Sequence, residues 1–148
     1  MGLYIENYVP VVKYQGLNTQ KAIVGESTLA ITGAATLSST LAVTGMTTLT
    51  GGAIGGVQTL AAAGAVNLTT LVTRVDSAGA IALTLADGTE GQIKFIVMGT
   101  DGGDATLTPT TKTGFTTITF NDAGDGVTLV FISTKGWIVA GNNGATLA

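Results

Sequence analysis

Apolar and hydroxyl residues alternate along much of this chain, and Gly or Ser breaks the alternation at short intervals. The pattern is densest where Leu29-Ala30-Ile31-Thr32-Gly33-Ala34-Ala35-Thr36-Leu37-Ser38-Ser39-Thr40 is echoed at once by Leu41-Ala42-Val43-Thr44-Gly45-Met46-Thr47-Thr48-Leu49-Thr50-Gly51-Gly52. A spacing of two with frequent turn residues predicts short strands and tight corners rather than helices. So short a unit, repeated about twice, buries too little apolar surface to offset the entropy of ordering it. Identical copies wound together would close the open strand edges, and a three-fold shaft is the simplest closed arrangement. The residues expected at that trimer interface are Leu29, Ile31, Leu37, Leu41, Val43, Met46, Leu49 and Ile54. The alternative is a single-chain solenoid, which needs three or more rungs and caps.

After the connector Ala61-Ala62-Ala63-Gly64, short strands separated by turn chemistry are expected over 66–75, 80–85, 92–98, 105–108, 116–120, 127–132 and 137–140. Their spacing predicts a small antiparallel sandwich or barrel. The alternating triplets Ile81/Leu83/Leu85, Ile93/Phe95/Val97 and Val127/Leu129/Phe131 form the expected core, with Ile118, Phe120, Trp137 and Val139.

Residues 1–26 differ in kind. They hold all three tyrosines, Tyr4, Tyr8 and Tyr14, around Val9-Pro10-Val11-Val12. Pro10 excludes a helix there and favours an extended path. The segment is read as an arm that lies along a partner, anchored by Tyr4, Tyr8, Val9, Val11, Val12 and Tyr14, with strand addition supplying main-chain hydrogen bonds. The alternative is a strand packed on the chain's own body. The expected organisation is therefore all-β: an N-terminal extended arm over 1–26, a short intertwined trimeric β repeat shaft and connector over 27–63, and a C-terminal β-sandwich module over 64–148.

Composition narrows the chemistry. The 148 residues are 45% hydrophobic and 10% charged, too apolar for disorder, and 22 are Gly. No charged residue occurs from Ser27 to Thr73. A spanning helix is nonetheless not expected, because Thr, Ser or Gly interrupts every few positions, and neither a signal peptide nor a myristoylation site is indicated. Cys and His are both absent, which removes disulfides, thiolate and imidazole metal sites, and Ser-His-Asp catalysis. A net charge of −3 with only 6 basic residues argues against a nucleic-acid groove.

Two loops, Asp101-Gly102-Gly103-Asp104 and Asp122-Ala123-Gly124-Asp125, bring carboxylates together as a hard cation such as calcium would require. Neither completes a calcium-loop pattern, and hairpin turns use Asp and Gly for backbone reasons, so they are read as turns and no metal or other cofactor is expected. Paired carboxylates could also serve glycoside hydrolysis, but the acidic residues lie in turns with little aromatic surface beside them. Phe115, after Gly114, is the one aromatic expected outside a strand interior, with core or interface packing favoured over ligand contact. The Gly-rich segments lack the Lys and spacing of a phosphate-binding loop.

The Leu-Ala-Ile/Val-Thr-Gly and Thr-Thr-Leu-Thr-Gly phrases of residues 29–52 resemble the short β repeats of bacteriophage fibre shafts and trimeric head-decoration proteins. Asp87-Gly88-Thr89-Glu90-Gly91-Gln92, Asp101-Gly102-Gly103-Asp104-Ala105-Thr106, Thr117-Ile118-Thr119-Phe120, Gly136-Trp137 and Gly141-Asn142-Asn143-Gly144-Ala145 are similar to a β module of tailed-phage structural proteins, especially marine ones. The resemblance implies a homotrimer, an N-terminal segment fixed to the virion through the major capsid protein or another virion protein, and a C-terminal module facing outward, with weak adhesion to host glycans open to it. No catalytic residue carries over. The expectation is a capsid decoration or short head-fibre protein on the capsid surface that stabilises the capsid. The alternatives are a tail-fibre or tail-tip component that recognises a receptor or glycan, and a spike-type polysaccharide depolymerase, against which brevity and the missing His count.

Overall fold

The computed structural model describes residues 33–148. The chain divides into two units, 1–47 and 48–148. Among the described residues of the first unit there is no strand, and every side chain is exposed.

The second unit contains ten strands and no helix. They are β1 (Val57–Leu60), β2 (Gly64–Val66), β3 (Val72–Ser77), β4 (Ile81–Leu85), β5 (Ile93–Asp101), β6 (Ala105–Pro109), β7 (Ile118–Phe120), β8 (Gly126–Ile132), β9 (Gly136–Asn143) and β10 (Thr146–Leu147). They form two five-stranded sheets, ordered β1-β3-β5-β8-β9 and β10-β7-β6-β4-β2.

The first six strands alternate between the sheets, so the chain coils three times around a shared interior, and successive coils pair in parallel. The last four strands pair antiparallel and extend both sheets on the far side of the last coil. The expected purely antiparallel sandwich or barrel is thereby corrected to an open pair of mixed sheets. Strand spacing alone did not reveal this, because a two-sided coil and a meander share the same rhythm of short strands and turns. The first coil includes β1, which lies within the 27–63 stretch read as repeat and connector and pairs with β3 through Val57–Val72 to Leu60–Val75.

The interior is built from stacked columns. In the second sheet Val66, Leu85 and Pro109 share one rank, and Leu83, Leu107 and Ile118 share another. All six are buried. Leu129, Phe120 and Trp137 complete the core with no exposure, while Ile81, Phe115 and Val139 pack against it partly buried. Phe115 thus packs at the edge of the core, the placement favoured for it over ligand contact. Trp137 donates its Nε1–H to the Ala86 carbonyl at 2.9 Å and meets Phe131 edge-on, with centroids 5.2 Å apart, which satisfies its polar edge while burying its rings.

Two sequence expectations change. The strand expected over 66–75 is two strands in different sheets, separated by a corner. Asn67 Oδ1 accepts bonds from the Thr69 and Thr70 backbone N–H groups at 3.2 and 2.9 Å and from the Thr70 hydroxyl at 2.8 Å. This is an Asx turn, the local alternative that Asn offers to a continuous ladder.

The second change concerns β5. Ile93, Phe95 and Val97 are 44%, 38% and 39% exposed, whereas Lys94, Ile96 and Met98 face the interior. Side chains of a strand alternate faces, so a phase error of one residue inverts the whole set. Lys94 explains the inversion. Its ammonium bonds the Thr70 carbonyl at 2.5 Å and the Thr70 hydroxyl at 3.3 Å, binding the corner between β2 and β3 from the inside. Burial lowers its pKa from the ordinary lysine value.

Candidate functional site

Three features of the described residues bear on function: the repeat segment, the outer face of the first sheet, and the Asp-Gly loops. In the repeat segment Leu37, Leu41, Val43, Met46, Leu49 and Ile54 are all exposed in a single chain, Met46 to 94%. They are the residues expected at the trimer interface. Their partners in that expectation, Leu29 and Ile31, lie outside the described residues, as do the anchor residues Tyr4, Tyr8, Val9, Val11, Val12 and Tyr14.

The two sheets differ sharply on their outer faces. The second sheet presents Ala82, Thr106, Thr119 and Thr146 in one rank across β4, β6, β7 and β10. Thr84 and Thr108 form part of the next. Hydroxyls and methyls of this kind stay hydrated without a partner. Across the first sheet one rank runs Val57, Val72, Phe95, Thr128 and Gly141, and the next runs Ile93, Val130 and Ile138. The ion pair on this face joins Arg74 to Asp76, whose Oδ2 accepts the Arg74 Nε–H at 2.8 Å, so the pair cancels its own charge.

A groove of about 330 Å³ opens on this face at the end nearest the β8–β9 bulge. Phe95 and Val97 form one wall, Gly126 and Gly141 leave the floor bare, and Thr128, Asn142 and Asn143 supply hydroxyl and amide groups. A methyl at Gly126 would stand 3.3 Å from Val97 Cγ2 and fill part of the space. No titratable side chain lines the groove. It suits an apolar side chain, or the carbon face of a sugar ring against Phe95. Alternation along the sequence places Phe95 in the core and so hides the groove; the available signal is that β5 carries apolar residues in both phases, which leaves one set outside whichever faces in.

The acidic loops are occupied by backbone. Asp101 Oδ1 accepts the Gly103 N–H at 2.9 Å, and buried Asp125 Oδ2 accepts those of Asn121 and Asp122 at 2.8 and 3.0 Å. Asp104 Oδ2 takes the Asn121 amide at 3.3 Å and joins the two loops. Among the described residues no three acidic side chains converge on a position that could hold a metal ion. These carboxylates close turns, as expected of Asp in Gly-containing loops.

Glu90 has a different role. Its Oε2 accepts the Ser133 backbone N–H at 2.7 Å and a short bond from the Ser133 hydroxyl, tying the loop before β5 to the β8–β9 turn. The hydroxyl bond first, and the backbone bond second, hold its pKa below the ordinary glutamate value.

No protein-family profile and no curated protein matches this chain.

Proposed function

We propose that the chain is a structural protein of a bacteriophage virion, a homotrimeric capsid-decoration or short head-fibre protein. In this reading residues 1–26 dock on the major capsid protein or a neighbouring virion protein, the repeats wind with two sister copies, and the module beginning near residue 57 faces outward. The role is mechanical rather than catalytic. Several arms held by one trimer engage adjacent capsid subunits at high effective concentration, and that linkage opposes separation of the subunits.

The observation that carries the reading is the repeat segment, in which six large apolar side chains of one chain are exposed. Exposed apolar surface on this scale marks an interface, and copies of one chain supply it most economically through closed symmetry. The virion setting rests on the resemblance of residues 29–52 to phage shaft repeats.

A tail-fibre or tail-tip component that binds a receptor or glycan is the second reading. The groove beside Phe95, with the Asn142 and Asn143 amides at its rim, is the observation that favours it. Reconstruction of a particle carrying the chain tests both. Density for trimers on the head, with Tyr4, Tyr8 and Tyr14 against capsid subunits, supports decoration. Density confined to the tail overturns decoration in favour of the second reading, and density for the chain at neither the head surface nor the tail overturns both.

A further inference from the structure

We propose that the groove beside Phe95 is a binding site for an uncharged pyranose sugar, with the Phe95 ring against the carbon face of the sugar and the Asn143 amide on two neighbouring hydroxyls. The inference deepens the glycan-binding reading above by naming the chemistry of the sugar and the groups that take it. It requires of that reading only that the module faces outward, on head or tail alike.

Register builds the site. Val97, Gly126 and Asn143 stand in one rank across β5, β8 and β9, and Phe95, Thr128 and Gly141 stand in the next. Residues opposite one another in paired strands share a face, and the exposure of Phe95 and Val97 puts both ranks on the outside. The two glycines lack side chains where their neighbours have them, so the hollow of about 330 Å³ opens between an apolar wall and an amide with a hydroxyl. That size is at the small end of the roughly 300–1,000 Å³ of ligand sites. The amide is set in advance. Asn143 donates one Nδ2–H to the Gly124 carbonyl at 3.0 Å. A carbonyl oxygen only accepts, so the nitrogen must face it and the amide cannot turn over. Oδ1 and the second N–H are left side by side on one planar group, an acceptor next to a donor.

The chemistry of the groove selects among occupants. An apolar side chain would cover Oδ1 and the remaining N–H of Asn143 without bonding either, at the cost of their hydration. A carboxylate or sulfate would give up water in a groove that no titratable side chain lines, with no cation to compensate. A pyranose supplies what both lack. It has a face of C–H groups for the Phe95 ring, and adjacent hydroxyls, each able to donate and to accept, for the amide. One aromatic wall and few polar groups make a weak site, with a Kd of roughly millimolar order. Several copies on one particle then bind a polymeric glycan more tightly than one groove holds one sugar.

Titration of isotope-labelled full-length protein with the methyl glycosides of glucose, mannose, galactose and glucuronic acid, followed by amide NMR shifts, tests the site. Phe95→Ala removes the aromatic wall, and Gly141→Val fills the floor. A Cβ at Gly141 meets the Thr128 side chain at 3.6 Å, an ordinary contact, and β-branched residues suit a strand. Unfolding of each variant, followed by Trp137 fluorescence, separates a folding defect from lost binding. The expected result is saturable shifts of the Asn143 side-chain amide and of the Gly126, Thr128 and Gly141 backbone amides with at least one neutral glycoside. Each substitution should weaken that binding about tenfold or more, and the glucuronide should bind about tenfold more weakly than the neutral sugar. No saturable shift with any neutral glycoside at about 100 mM, far above a millimolar Kd, overturns the inference. Binding that survives both substitutions, or a glucuronide held equally well, also overturns it. Particle density is a separate result: sugar binding by a chain found on the head keeps this inference and removes the tail reading, whereas tail density without sugar binding does the reverse.

Discussion

Replacing Gly136 with Ala should destabilise the module by about 3–5 kcal/mol, far more than the same change at Gly124. Both residues have positive φ, 76° at Gly136 and 97° at Gly124, so each substitution carries the left-handed penalty of about 1–2 kcal/mol. The surroundings then separate them. A methyl at Gly124 meets nothing within 4 Å, whereas one at Gly136 would stand 2.3 Å from the Thr111 carbonyl carbon and 2.7 Å from the Lys112 nitrogen. Those backbone atoms must withdraw, which strains the Trp137 N–H bond to the Thr111 carbonyl at 2.9 Å and the Thr113 N–H bond to the Trp137 carbonyl at 3.1 Å. At about 1 kcal/mol each, with some loosening around the buried indole, the additional cost is about 2–3 kcal/mol. Trp137 is the sole Trp, so its fluorescence follows urea unfolding directly, and midpoints compared at equal m-values give the difference. Equal losses at the two glycines would refute the claim that the 111–113 segment is held tightly against the start of β9.

Three further perturbations address the interior and its charges. Leu107→Ala empties the centre of the Leu83–Leu107–Ile118 rank and should cost about 2–5 kcal/mol in the same assay; a loss below about 1 kcal/mol would mean that the rank does not carry the core. Lys94 has a folded-state pKa below its unfolded value. The unfolded chain therefore binds more protons between the two values, and stability rises with pH up to about the ordinary lysine pKa. Lys94→Met should abolish that alkaline rise, and an identical rise in the variant would contradict the buried ammonium. For Glu90 the sign is opposite: its depressed pKa stabilises the fold above the unfolded value, and that contribution fades as pH falls through the folded value. Ser133→Ala should move the Glu90 titration, followed by carboxyl NMR, up toward 4.5, and an unmoved titration would place the cause elsewhere.

Much of the module was legible because period-two alternation reports burial directly. In β4 and β8, Leu83, Leu85, Val127, Leu129 and Phe131 face inward as the pattern requires, and the Asp-Gly loops are turns. What escaped has three physical sources. Parallel pairing between coils joins residues far apart in sequence, such as Val72 with Phe95 and Leu83 with Leu107, and no local pattern encodes which strand lies beside which. β5 is apolar in both phases, and the inward phase carries a charged residue, so hydropathy alone selects the wrong face; the Lys94–Thr70 bonds are what admit the ammonium to the interior. Asn67 broke a strand that β-propensity would have continued, through bonds from its own side chain.

The candidate surfaces divide in the same way. The apolar residues of the repeat were readable in advance because their positions in sequence define them. The groove was not, since it exists only where Gly126 and Gly141 fall beside Phe95 across two strand pairs. A surface made by register becomes visible only when the register is known.

The account stands on one claim, that a single copy of this chain leaves too much apolar surface in water to be the working form. Sedimentation equilibrium of untagged full-length protein, diluted from micromolar to nanomolar, tests that claim most directly. The account predicts three times the 14.7 kDa chain mass across most of that range, and dissociation on introducing Leu41→Lys with Leu49→Lys. A compact monomer at every concentration, with thermal stability unchanged by those substitutions, would contradict it.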